Sequence, residues 1–159
     1  YGAKDVHTLK AFIEAESYPG VSIIIAYSPC IAHGVDMQHN HRQQDLAVKS
    51  GHWPLLRYDP RQRDQGKNPL SVDSPAPSIP FSDFARHEAR FTVLERLRPD
   101  ASARFMVQAG QDARLRHQEY VELSAMQLPE AMLDAQANQA ANQAKPANEA
   151  SVTKETPDA

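Results

Sequence analysis

Residues 21–27 (VSIIIAY) form the one continuous apolar run in the chain, and this run limits what the chain can fold into. Three successive isoleucines flanked by Val21 and Tyr27 favour a strand, and the lack of apolar–polar alternation suits a strand buried on both faces. Pro19 and Gly20 break the chain just before it. Upstream, residues 8–18 place Leu9, Phe12, Ile13 and Glu16 on neighbouring turns, which predicts a helix with an apolar stripe and Asp5 as its N-cap. Helix, break and buried strand are half of an α/β crossover, the unit from which parallel sheets are built. One unit cannot close such a sheet, so the expected neighbouring strands lie upstream of Tyr1. A start at Tyr1 with neither Met nor a signal-peptide pattern adds to the expectation that the chain is cut from a longer protein.

After the run, Ser28-Pro29-Cys30-Ile31-Ala32-His33-Gly34 occupies the carboxyl end of the predicted strand, where open α/β sheets place their ligands. Residues 36–50 read as helical in their second half, with Ser50-Gly51 as the stop, and residues 53–58 read as a short strand. Residues 59–80 are dense in Pro, Gly, Asp, Ser and Asn and predict an extended arm. Ser82 or Asp83 then caps a helix carrying Phe84, Phe91, Val93, Leu94 and Leu97. Pro99-Asp100 separates it from a second helix ending near Met126, so that the two form a hairpin. From Leu128 onward Ala, Gln, Asn, Glu, Pro and Lys dominate, which predicts a disordered tail. The expected organisation is residues 1–58 as the end of a sheet domain, 59–127 as arm and helical segment, and 128–159 as tail.

The 159 residues carry a net charge of -3, and five acids against two lysines from Leu128 onward account for all of it. Elsewhere Arg and Lys alternate with acids, which excludes the basic footprint of a nucleic-acid partner. The longest apolar run falls well short of the roughly 20 residues a membrane helix needs. The single cysteine excludes an intrachain disulfide, and the expected location is the cytoplasm.

Taken by themselves, the candidate residues leave several chemistries open. Cys30 reads as a small packed hydrophobe or, with His33, as a thiol nucleophile and its base. No third residue is identifiable to orient His33. His39, His41 and His52 raise a metal site, but no fourth donor stands at a fixed separation and an exposed polar loop is the alternative. Arg57, Lys67 and Asn68 beside Gly66 read either as an anion-facing turn or as a solvated one. Trp53, Tyr58, Phe81 and Phe84 read as anchors of the arm.

Residues 9–12 (LKAF), 14–20 (EAESYPG) and 22–34 (SIIIAYSPCIAHG) closely resemble the end of the thiamine-diphosphate domain of pyruvate:ferredoxin oxidoreductases. The resemblance continues through Gln43-Gln44, Ala47-Val48, Ser50-Gly51, Trp53-Pro54-Leu55, Arg57-Tyr58, Gly66-Lys67-Asn68-Pro69, Asp73-Ser74 and residues 77–81 (PSIPF), and covers roughly residues 1–113. It implies the terminal helix–strand part of a thiamine-diphosphate-binding parallel-sheet domain. The implied whole is a homodimer that converts pyruvate and CoA to acetyl-CoA and CO2, using thiamine diphosphate, Mg2+ and [4Fe-4S] clusters, with ferredoxin or flavodoxin as electron acceptor. Cys30 matches the fourth ligand to the cluster nearest the thiamine. A [4Fe-4S] cluster takes four thiolates, so this chain is expected to supply one of them and to be noncatalytic alone. A structural reading, in which residues 59–126 stabilise the dimer without a redox role, stands beside it. Val21 in place of a frequent proline, the loop at residues 38–42 and the tail depart from the family pattern.

Overall fold

The computed structural model describes residues 3–127 and is mixed α/β, mainly helical, with one small antiparallel sheet. The predicted tail at residues 128–159 lies outside the described residues.

Helix α1 spans Asp5–Ser17, and Tyr18 ends it in an extended conformation just before Pro19 and Gly20. Lys4 occupies the N-cap position and Asp5 is the first helical residue, where its carboxylate faces the positive end of the helix dipole. Asp36 starts the next helical stretch, its side chain accepting from Gln38 N at 3.0 Å. A 3-10 turn at Met37–His39 leads into α2, Asn40–Lys49, which buries Gln43, Gln44, Ala47 and Val48 on one face. Ser50 caps it and Gly51 turns the chain with φ 76°. A Cβ at Gly51 would lie 2.6 Å from Pro77 Cγ, so glycine is required there both for the turn and for the approach of residue 77.

Strands β1, Leu56–Tyr58, and β2, Leu70–Val72, pair antiparallel, with Arg57 opposite Ser71. Their connection holds a 3-10 helix, Pro60–Gln65, started by the Asp59 side chain and ended by Gly66 at φ 68°. Residues 59–80 therefore fold back on the chain. Asp73 N donates to Leu55 O at 2.8 Å and Ser78 N donates to Lys49 O at 2.8 Å, so the expected arm is a hairpin return sewn to α2.

Three helices follow: α3 at Phe81–Ala85, α4 at Ala89–Leu97 and α5 at Pro99–Ala125. Arg98 ends α4 and precedes α5, which makes the expected hairpin, and Pro99 with Asp100 opens α5 in the favoured order. The single first helix expected from residues 82–97 is instead two. Glu88, the residue before α4, is extended (φ -125°, ψ 125°) because its side chain turns into the core.

Ala47, Phe81, Phe84, Ala85 and Ala113 form the buried core, with Tyr27, Leu46, Trp53, Phe91, Met106 and Ala109 packed around it. Gly110 on α5 faces Phe81 of α3, where an added Cβ would lie 3.5 Å from Phe81 Cβ, at ordinary contact distance. Phe84 meets Phe81 edge-on at 5.7 Å and Phe91 at 6.1 Å, offset geometries that aromatic quadrupoles favour.

The buried strand expected at residues 21–27 is corrected by the structure. These residues form no strand, and Val21, Ile23 and Ile25 are 90%, 81% and 77% exposed. The reason is physical: a buried strand needs backbone partners, and among the described residues the only strands, β1 and β2, pair with each other and not with residues 21–27. The parallel sheet is likewise not formed within the described residues.

Phe84 is fully buried, so Phe84→Ala is expected to lower stability by about 3–5 kcal/mol, read as a drop in the urea unfolding midpoint without loss of two-state behaviour.

Candidate functional site

Cys30 is an exposed free thiol. Its backbone is extended (φ -131°, ψ 139°), and its carbonyl accepts from His33 N at 3.0 Å, opening a 3-10 turn over Ile31–His33. Gly34 closes the turn with φ 72°. Pro29 and Val35 on either side are buried, so the loop is seated while the thiol remains accessible.

Three residues before Cys30, Tyr27 enters the core. Its ring lies 5.5 Å from Trp53 and meets His52 edge-on at 6.0 Å. Its hydroxyl donates to Glu88 Oε1 at 3.1 Å. Glu88 is 1% exposed and also accepts from Gln43 Nε2 at 3.1 Å and from Arg90 Nε. A buried carboxylate is tolerated only when donors surround it, and here they come from the Cys30 segment, α2 and α4. Burial, the Glu88 charge and the hydrogen bond to Glu88 together push the Tyr27 phenol up, which keeps it a donor.

His52 stacks on Phe84 at 4.3 Å. Burial pushes its pKa down to about 4, and nearby Arg90 acts in the same direction while Glu88 opposes it. The imidazole is therefore a neutral aromatic plate in the core. Of the other histidines raised by the sequence, His39 lies 2.8 Å from Asp36 Oδ2 on the surface and His41 is exposed. Among the described residues no group of three or more His, Cys, Asp or Glu is placed to hold a metal ion. What the structure records between Cys30 and His33 is the backbone hydrogen bond of the turn.

A second ionic cluster fixes α1. Arg57 on β1 grips Asp73 through Nε at 2.6 Å and Nη2 at 2.9 Å, and also donates to Glu14. His7 Nε2 lies 3.1 Å from Asp73 Oδ2. Burial alone would raise the Asp73 carboxyl, but Arg57 and then His7 outweigh it and hold it below its ordinary value. Arg61 donates to Asp59, to Ser17 O at 3.0 Å and to Ser17 Oγ at 3.0 Å, with its guanidinium over the Tyr18 ring. His7, Glu14 and Ser17 thus turn the polar face of α1 inward. Its apolar face points out, with Val6, Leu9, Phe12 and Ile13 all more than half exposed.

The anion-facing turn considered at Arg57, Lys67 and Asn68 has internal partners instead. Asn68 Nδ2 donates to Leu123 O at 2.7 Å and Met126 O at 2.9 Å, which satisfies carbonyls at the end of α5. Trp53, Phe81 and Phe84 pack in or around the core as anchors, whereas Tyr58 is exposed and accepts from Arg63 Nη2 at 2.7 Å. Sequence reasoning missed Glu88. No helical register could have placed it, because α3 ends at Ala85 and Glu88 is extended before α4 begins.

These features define a mainly helical α/β segment, closed on one side by aromatic and ionic contacts and open on the other, where apolar side chains flank an accessible thiol. Among the described residues no helix is long and apolar enough to cross a membrane. No family model matches the sequence. The chain is homologous to a segment of pyruvate-flavodoxin and pyruvate:ferredoxin oxidoreductases. It is 46% identical over 127 residues to the pyruvate-flavodoxin oxidoreductase of Trichormus variabilis, covering 80% of this chain and 11% of that protein. It is 42% identical over 123 residues to the pyruvate:ferredoxin oxidoreductase of Moorella thermoacetica, covering 77% and 10%. Against the probable pyruvate-flavodoxin oxidoreductase of Escherichia coli it is 43% identical over 116 residues, covering 73% and 10%. The resemblance read from the sequence is thus borne out, and the chain spans about a tenth of the length of these relatives.

His52 has an ordinary pKa of 6.5 and a folded value of about 4, so between these pH values the unfolded chain binds the extra proton. Stability from this group is complete above pH 6.5 and falls as pH drops toward 4. His52→Phe is expected to flatten that part of a plot of unfolding midpoint against pH, measured by circular dichroism.

Proposed function

We propose that this chain is a segment of a pyruvate oxidoreductase in which Cys30 supplies one thiolate ligand to a [4Fe-4S] cluster. The observation that carries this reading is the placement of Cys30. It is the single cysteine of the chain, accessible, seated between the buried Pro29 and Val35 and followed directly by the exposed apolar Ile31. A cluster of this kind takes four thiolates, so the donor set fits as a contribution to a site shared with the rest of a longer protein. When bound, such a cluster supplies one-electron transfer.

This chain's own residues hold the thiol and cover the site. The turn at Ile31–His33 directs the chain away after Cys30, and the tether of Tyr27 to Glu88 fixes the approach to it. Ile23, Ile25 and Ile31 present apolar surface that excludes water once covered, a condition that strengthens electrostatic interactions around a buried redox group. In this reading residues 21–27 join a parallel sheet of the longer protein's thiamine-diphosphate domain, where their backbone groups find partners. Residues 1–58 end that domain and residues 59–127 form the segment after it. Thiamine diphosphate, Mg2+, pyruvate, CoA and the remaining thiolates are bound outside this chain, which is noncatalytic alone, and the working compartment is the cytoplasm. Ferredoxin or flavodoxin takes the electrons; the names of the relatives include both acceptors.

A second reading, a subunit-interaction module that stabilises a homodimer, is favoured by the exposed apolar side chains of the α4–α5 hairpin, Leu97, Phe105, Val107 and Leu115. The two readings separate experimentally in the full-length oxidoreductase that carries this segment. Cys30→Ser is expected to remove one cluster's worth of iron and sulfide and one reduced-cluster electron paramagnetic resonance signal, with the dimer intact. Phe105→Asp is expected to weaken assembly in sedimentation velocity while iron content per chain is kept. Retention of every cluster after Cys30→Ser would overturn the ligand assignment and leave the interaction reading.

A further inference from the structure

Two consecutive residues at the start of α4 contact the Cys30 loop from opposite sides. On the upstream side Glu88 accepts the Tyr27 hydroxyl at 3.1 Å, three residues before Cys30. On the downstream side Ala89 closes against Gly34, four residues after it, so tightly that a Cβ on Gly34 would lie 2.8 Å from Ala89 Cβ. Gly34 also has φ 72°, a conformation that side-chain-bearing residues rarely adopt. Residues 21–26 before Tyr27 are all exposed and form no regular structure. The loop therefore takes its position from these two contacts and from the burial of Pro29 and Val35 between them.

We propose that the Glu88–Ala89 pair is a clamp that sets the position of the Cys30 thiol, with Tyr27 and Gly34 as its two points of grip. Glu88 is held rigidly enough to serve, because Gln43 Nε2 and Arg90 Nε donate to the same carboxylate and α2 and α4 carry those donors. The aromatic contacts of Tyr27 with Trp53 and His52 keep its ring in place, and the hydroxyl sets the depth to which it enters. Glu88, Tyr27 and Gly34 are positioning residues. They act through the backbone of residues 27–34, and nothing in this arrangement requires them to touch the group that Cys30 binds. The consequence for a bound cluster rests on the ligand reading of Cys30, whereas the clamp itself is a property of the loop.

The test uses the full-length oxidoreductase carrying this segment, with Tyr27→Phe, Glu88→Gln, Gly34→Ala and Cys30→Ser made separately. Two quantities are read: hydrogen exchange of the His33 and Gly34 amides, which close the turn after Cys30, and the anaerobic rate at which the Cys30-dependent cluster loses iron to a chelator. Tyr27→Phe is expected to speed both by about tenfold, the change that loss of one hydrogen bond to a charged group supports, and Gly34→Ala is expected to speed both through its positive φ and the clash with Ala89. Glu88→Gln can keep an oxygen toward Tyr27 and Gln43 only by turning its NH2 toward the Arg90 Nε–H, so it is expected to speed both as well, by loosening Glu88 itself. Exchange in the β1–β2 hairpin should not change, which separates loosening of the loop from general destabilisation. Unchanged exchange at His33 and Gly34 in both Tyr27→Phe and Gly34→Ala overturns the clamp. Faster exchange with unchanged iron loss shows a seated loop that does not position the ligand, and overturns the positioning role. If Cys30→Ser keeps every cluster, the ligand reading fails, and the clamp is decided by the exchange data alone.

Discussion

A buried carboxylate organises this structure. Glu88 is almost fully enclosed, and an unpartnered charge at that depth would be strongly destabilising. Two of its partners come from distant parts of the chain, Tyr27 from the segment before Cys30 and Gln43 from α2, and the third, Arg90 of α4, lies two residues on. Drawing Glu88 inward breaks what would otherwise be one helix into α3 and α4. It also brings Tyr27, His52, Phe84 and Phe91 to the same side of the core. The aromatic cluster supplies the apolar burial, and the carboxylate specifies which segments meet there.

The open and closed sides of the segment divide its work. Core residues Ala47, Phe81, Phe84 and Ala113 lie between α2, α3 and α5 and need nothing further to be covered. Residues 21–25 and the outer stripe of α1 are a different case, since single exposed apolar side chains are ordinary but a run of them marks a surface that is covered in use. The thiol of Cys30 sits beside this surface, held by contacts to the closed side. A chain that matches about a tenth of each relative's length has good reason to leave one side apolar and exposed.

Much of the local structure was legible in residue order. Leu9, Phe12 and Ile13 gave α1 its helical period, Pro19-Gly20 its end, Ser50-Gly51 the stop after α2, and Pro99-Asp100 the start of α5. The strand expected at residues 21–27 was read from β-branched composition, but composition cannot supply a pairing partner, and none is present among the described residues. The fold-back of residues 59–80 was hidden because its ties to Leu55 and Lys49 run through backbone groups, and the spacing of Arg57 and Asp73 does not mark them as a pair. Cys30 stood out by its position after the apolar run. Glu88 was overlooked because a charged residue near a helix is ordinarily solvated, and the break between α3 and α4 removes any helical register that could place it. The orientation of α1 was not legible at all: amphipathic spacing shows that a helix has two faces and does not say which one its own chain will use.

That orientation has a consequence for how the segment responds to its solvent. Arg57 holds α1 by a partly exposed ion pair to Glu14, which dissolved salt screens, while the outer stripe of α1 is apolar surface whose burial excluded salts such as sulfate favour. The two faces of one helix therefore answer to different properties of a salt. Ionic strength from any salt loosens the grip on the hairpin, and an excluded salt such as sulfate also drives the outer face toward whatever surface will cover it.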